Sequence, residues 1–131
     1  MTGQIITTNG KKIILNRTFL ETPTILAPTQ FKIGTGTTDP TLGDTDLETP
    51  VNINGTAFKD FVSSYPLLDT TNIQSTIRCF VNSVEANGNT LTEFGIVNED
   101  GTPLLFSRAV FSGIAKTSSN EITFIQKDKI L

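Results

Sequence analysis

Side-chain polarity repeats every two residues in the second half of this sequence, and that repeat restricts the fold more than any other feature. Ile73, Ser75, Ile77, Cys79 and Val81 fall on one face; Thr76, Arg78, Phe80, Asn82 and Val84 fall on the other. A period of two belongs to a pleated strand, not to a helix. Apolar material on both faces predicts a strand of a sandwich or of an interface.

Three more strands follow at short intervals. Asn87-Gly88 turns the chain, and residues 91–97 form a strand through Phe94 and Ile96. Asn98-Glu99-Asp100-Gly101 is a compact turn signal. Residues 104–114 form a third strand, and 116–120 turn it into a fourth at 122–126. Four strands joined by short polar turns predict an antiparallel meander.

The first half is less regular. Thr8 or Asn9 is positioned to cap a short helix with Ile13, Ile14 and the Arg17 stem on its apolar stripe. Asn9-Gly10 is equally suited to turn a hairpin between Ile5-Ile6 and residues 13–15. The helix is the favoured reading. Pro23 and Pro28 break regular structure, Phe31-Lys32-Ile33 alternates as a short strand, and residues 39–50 form a long loop. Residues 51–53 suit a further short strand ended by Asn54-Gly55. Phe58, Phe61, Val62, Tyr65, Leu67 and Leu68 add apolar area without a period.

Composition supports the same class. Among 131 residues there are 22 Thr, 10 Gly and 6 Pro. Thr suits a half-exposed pleated surface, and Gly and Pro punctuate turns. The expectation is a single mainly β domain over residues 1–131, an antiparallel β-sandwich with a short N-terminal helix and a long Thr/Gly/Asp-rich loop.

The chemistry is notable for what is missing. There is no histidine, hence no common general base, no usual partner for a nucleophilic Ser or Cys, and no commonest zinc ligand. Cys79 is the single cysteine and reads as a small buried hydrophobe. A net charge of −3 with scattered Lys and Arg argues against nucleic acid, which needs clustered cations. No apolar stretch approaches the roughly 20 residues needed to span a bilayer, and no signal-peptide core is present.

Gly34-Thr35-Gly36-Thr37-Thr38 lacks the Lys and the following helix of a phosphate-binding loop. Its glycines fit a turn or bulge where backbones approach closely. Asp39, Asp44, Asp46 and Glu48 have oxygen ligands suited to Ca²⁺, but no EF-hand spacing, and Asp44 or Asp46 capping a turn around Leu47 is simpler. Nothing pairs two carboxylates in a cleft as glycoside hydrolysis requires. No metal, cofactor or catalytic residue is expected, and the chain reads as a non-enzyme.

Arg78 and Arg108 stand inside apolar strands. Each can snorkel to solvent or pair with a carboxylate such as Glu93. The phenylalanines, Phe111 among them, are core residues, with a subset suited to anchor an interface.

Two stretches resemble tailed-bacteriophage virion proteins of the tail, baseplate or fibre-attachment kind. The first is Phe31-Lys32-Ile33-Gly34-Thr35-Gly36-Thr37-Thr38-Asp39-Pro40 with Asp44-Thr45-Asp46-Leu47-Glu48. The second is Leu91-Thr92-Glu93-Phe94-Gly95-Ile96-Val97-Asn98-Glu99-Asp100-Gly101-Thr102, then Phe106-Ser107-Arg108-Ala109-Val110-Phe111 and Lys116-Thr117-Ser118-Ser119. It is similar to a run near the C-terminus of those proteins and of tail-fibre N-terminal domains.

The resemblance implies a β-sandwich virion component assembled with itself as a trimer or ring and with other virion proteins, made in the host bacterial cytoplasm. It makes Gly34 and Gly36 turn-shaping residues, and Glu93 and Arg108 a candidate ion pair between strands. Asp46, Arg78, Gly95 and Phe111 complete the structural and interface candidates. The family carries no catalytic residues. A chain ending at Leu131, with no shaft or receptor-binding domain, favours an adaptor, baseplate or decoration role over host recognition. The alternatives are a capsid decoration or cement protein and, less favoured for want of Trp, a carbohydrate-binding sandwich.

Overall fold

The computed structural model describes residues 2–99 and 101–130. Chain order is β1 (Thr2–Ile6), α1 (Thr8–Phe19), β2 (Pro28–Gly34), β3 (Lys59–Asp60), β4 (Leu67–Asp69), β5 (Gln74–Val81), β6 (Thr90–Asn98), β7 (Leu105–Ala115) and β8 (Ile122–Lys129). One sheet has the order β1-β7-β6-β2-β3 and the other β4-β5-β8, with every strand pair antiparallel. The expected mainly β, two-sheet sandwich is the observed architecture.

The alternating patterns fix which side chains meet between the sheets. Phe31 and Ile33 of β2 lie opposite Ile96 and Phe94 of β6, and all four are buried. Ile77, Cys79 and Val81 of β5 and Ile122 and Phe124 of β8 face them in the same core. Phe94 and Phe124 stack across the gap with ring centroids 4.7 Å apart. Cys79 has no exposed surface, and burial pushes its thiol pKa up, as expected of a packing residue.

The meander is not what forms. β5 pairs with β4 and β8, and of the four strands expected in the meander only β6 and β7 are hairpin neighbours. Residues 82–89 carry the chain from the smaller sheet to the larger, and residues 116–121 carry it back. The two crossings are joined: Gly88 N donates to Lys116 O (2.9 Å) and Lys116 N to Asn89 O (2.8 Å). Asn87-Gly88 does reverse the chain, with Gly88 at φ +87°, but it steers a crossover. A period of two is the same for hairpin neighbours and for strands on opposite sheets, so polarity alone does not name the partner.

Helix α1 forms, and the hairpin alternative does not, because Ile5 and Ile6 pair with Arg108 and Ser107 of β7. The cap is Thr7, one residue before Thr8 and two before Asn9, the two expected caps. Thr7 Oγ1 accepts from Gly10 N at 3.0 Å and donates to the Leu105 carbonyl. Gly10 presses its backbone on β7; a Cβ there would stand 2.1 Å from Phe106 O. Ile13 is buried, whereas Ile14 of the expected stripe is 43% exposed.

The strand expected at 51–53 is also absent. Pro50 makes an isolated bridge with Gly34 and Val51 N donates to Ile33 O (3.0 Å). The chain then turns back on itself through Ile53 N to Thr56 O (2.8 Å), with Gly55 at φ +81°. Ile53 enters the core from this turn. The turn expected at 98–101 includes Asp100, which lies outside the described residues.

Candidate functional site

The outer face of the larger sheet carries Lys32 and Gly34 of β2, Glu93, Gly95 and Val97 of β6, and Leu105 and Arg108 of β7, as the strand register requires. Residues 35–50 lie across this face as a third layer. Leu47 is buried there with Val97 and Leu105 as a small second core. β6 is therefore buried on both sides.

Glu93 is the centre of this layer and has no exposed surface. Its Oε1 accepts from Thr49 N (2.7 Å) and Gly36 N (3.1 Å). Its Oε2 accepts from Glu48 N (3.0 Å) and from Arg108 Nε (2.9 Å). Arg108 Nη2 is 2.9 Å from the same Oε2, an ion-pair contact without hydrogen-bond alignment. Arg108 Nη1 reaches Asp44 Oδ2 at 3.0 Å. One buried carboxylate thus holds three loop amides and one guanidinium, and that guanidinium holds a loop carboxylate in turn. Such charge-assisted bonds are about twice as strong as neutral ones.

Glycines make room for this. A Cβ on Gly34 would lie 2.4 Å from both Glu93 Oε1 and Thr49 O; on Gly36, 2.5 Å from Glu48 Cβ and 2.7 Å from Glu93 Oε1. A Cβ on Gly95 would meet the Leu47 side chain at 2.8 Å. Thr92 Oγ1 adds a bond to Gly36 O (2.7 Å). At its far reach the loop accepts from the start of α1, Thr8 N to Leu42 O (2.8 Å). We call residues 35–50 the strap.

Of the residues singled out from sequence, Gly34, Gly36, Glu93, Gly95 and Arg108 converge at the strap. Asp46 lies at its margin, paired with Lys32 Nζ and accepting from the adjacent Leu47 N (2.8 Å). Arg78 is exposed on the smaller sheet, away from Glu93. Phe111 is half-buried against Phe124, with centroids 5.6 Å apart.

Sequence reasoning missed Asp44 as the second partner of Arg108, the amides of Glu48 and Thr49, and the Leu47 plug. The signal available was an acidic loop opposite two strand cations. It also missed two buried charges elsewhere. Glu85 accepts from Lys59 Nζ (2.7 Å) and Asn82 N (2.9 Å), and Lys116 Nζ donates to Asn87 Oδ1 (2.7 Å) and Thr117 O (2.9 Å).

The strap carboxylates go to separate partners: Asp44 to Thr41 and Arg108, Asp46 to Lys32, Glu48 to Thr37 N (3.2 Å). Among the described residues no three His, Cys, Asp or Glu side chains are grouped as metal ligands. Glu93 has its oxygens occupied and no surface for a substrate to touch. What the arrangement can do is mechanical: it fixes a long loop to a sheet.

Two of these acids give the strap a pH dependence. Burial pushes Asp44 upward, but the Thr41 amide and hydroxyl and then Arg108 outweigh it and hold its pKa below the ordinary carboxylate value. Glu48 is lowered by the Thr38 hydroxyl and the Thr37 amide. A carboxylate whose folded pKa is depressed stabilises the fold above its unfolded pKa of about 4 and loses that contribution as pH falls through the folded value. Melting temperature is therefore expected to be flat from about pH 7 to 5 and to drop below about pH 4. Asp44→Asn is expected to flatten the drop. Calorimetry across this range checks it, and an unchanged acid slope in the variant would count against Asp44 as a contributor.

Comparison with protein-family models, curated proteins and solved structures finds no match to this chain.

Proposed function

We propose that the chain is a structural component of a bacteriophage virion, a tail-associated adaptor, baseplate or fibre-attachment protein. It acts by assembling with itself and with other virion proteins. The observation that carries this reading is the meeting of the two stretches that resemble such proteins. Gly34, Gly36 and Asp44 from the first join Glu93, Gly95 and Arg108 from the second in one strap. Residues that form a shared structural unit fit a signature of architecture better than one of chemistry.

The strap also suits an assembly part physically. A surface loop already ordered by Glu93 and Arg108 loses little further entropy when a neighbouring subunit packs on it. Exposed Phe19, Leu68 and Val84, each at least 75% exposed, offer apolar contact to other chains. In this reading the protein carries no catalytic step and no cofactor.

Quantitative mass spectrometry of purified particles from the phage that encodes the chain tests the proposal. A tail part is expected at the copy number of a small ring, whereas on the order of hundreds of copies would make it a capsid decoration protein. Absence from the particles would remove the virion reading altogether.

A further inference from the structure

The smaller sheet ends on β8, which pairs with β5 alone and leaves its other edge unpaired among the described residues. This edge is eight residues long and contains no proline. A long open edge presents a row of backbone donors and acceptors that another strand can pair with. A groove of about 510 Å³, partly apolar, is lined by Phe111, Ser112 and Ile114 of β7 and by residues 122–125 of β8.

We infer that this edge binds a second copy of the chain, β8 against β8, antiparallel about a two-fold axis through Ile125. Two copies of this strand are complementary in that register. The exposed face of the strand reads Thr123, Ile125, Lys127, Lys129, with Glu121 just before it in the same alternation. An axis through Ile125 sets Ile125 opposite the partner's Ile125, Thr123 opposite the partner's Lys127, and Glu121 opposite the partner's Lys129. Both ends of the contact then carry an opposite-charge pair, and its centre is apolar. An axis through Gln126 would set both lysines against Ile125 and Thr123 and leave Glu121 without a strand partner. An axis through Phe124 would also pair Glu121, with the partner's Lys127, but it would oppose Ile125 to Thr123 at the centre and leave Lys129 beyond the paired length. An axis between residues would place the buried face of one copy on the exposed side of the other.

The paired sheet runs continuously through six strands, three from each copy, and satisfies both open edges. The contact goes beyond the virion reading and does not depend on it. A protein absent from particles but dimeric through β8 would remove that reading alone; one present in particles but monomeric when pure would remove this inference alone.

Light scattering coupled to size exclusion, with analytical ultracentrifugation for affinities, tests it on the purified full chain. The wild type is expected at twice its 14.2 kDa mass. Ile125→Lys sets two ammonium groups face to face on the axis and is expected to give a monomer with an unchanged circular dichroism spectrum, since Ile125 is 52% exposed. Glu121→Lys is expected to weaken the dimer about tenfold or more, by turning two attractive pairs repulsive. Adding Lys129→Glu to it restores wild-type affinity. A monomeric wild type, an Ile125→Lys protein that stays associated, or a charge swap no tighter than Glu121→Lys alone would each overturn the inference.

Discussion

Glu93→Leu is expected to lower unfolding free energy by about 3–5 kcal/mol, the cost typical of breaking a buried ion pair from one side. The leucine strands Arg108 in the interior with Asp44 as its remaining partner. It also leaves the amides of Gly36, Glu48 and Thr49 without the acceptor they now share. For a domain whose total stability is roughly 5–15 kcal/mol, that is a large fraction. Arg108→Met is expected to cost less, about 2–3 kcal/mol, because three backbone donors still hold the Glu93 charge. The double variant should cost less than the sum of the two, since each single change leaves a buried charge short of its main partner and the double change removes that charge. Urea denaturation measures all three, and strictly additive losses would show that the two side chains do not act as a unit.

A methyl group at Gly34 is expected to be nearly as damaging. Gly34→Ala brings a Cβ within 2.4 Å of the Thr49 carbonyl and of Glu93 Oε1, and a backbone oxygen cannot rotate aside as a flexible side chain does. Either the strap lifts or β2 shifts, at a cost of about 3 kcal/mol. Gly36→Ala meets Glu48 Cβ and Glu93 Oε1 instead and should cost a similar amount. Neither glycine has a positive φ, so the requirement is for space, not for an unusual backbone angle. Gly43→Ala is the internal comparison. It lies in the same strap with nothing within 4 Å of its Cβ and is expected to change stability by less than about 0.5 kcal/mol. Equal losses at Gly34 and Gly43 would mean that alanine acts on the strap by some route other than crowding.

The sequence made the strands legible and their partners obscure. Alternation located β5, β6, β7 and β8 within a few residues, because a half-buried strand must place one side chain in two toward the core. It could not show that 82–89 and 116–121 are crossings between sheets, since hairpin turns and crossovers use the same Asn, Gly and Ser. β3 and β4 were invisible because two and three residues are too few for a period to declare itself, and β1 showed only as Ile5-Ile6 in the hairpin reading. Glu93 and Arg108 drew notice as charges set in apolar strands, and Gly34 and Gly36 as a pair permitting close approach. What joins them was not legible. Asp44 is 64 residues from Arg108 and Thr49 is 44 from Glu93, and a backbone amide donor leaves no mark in a side-chain pattern. Asp46 attracted attention in place of Asp44 because both sit in the same acidic loop, and only the register of the strap decides which one faces Arg108.

Residues 35–50 are fixed to the sheet by Glu93 and Arg108 and behave as part of the fold. Amide hydrogen exchange at Gly36, Glu48 and Thr49 tests it most directly. Protection at these three amides is expected to be comparable to that of the β6 ladder and to be lost together in Glu93→Leu while the β5–β8 ladder stays protected. Exchange of the same amides in the wild type at the rate of an unstructured loop would contradict it.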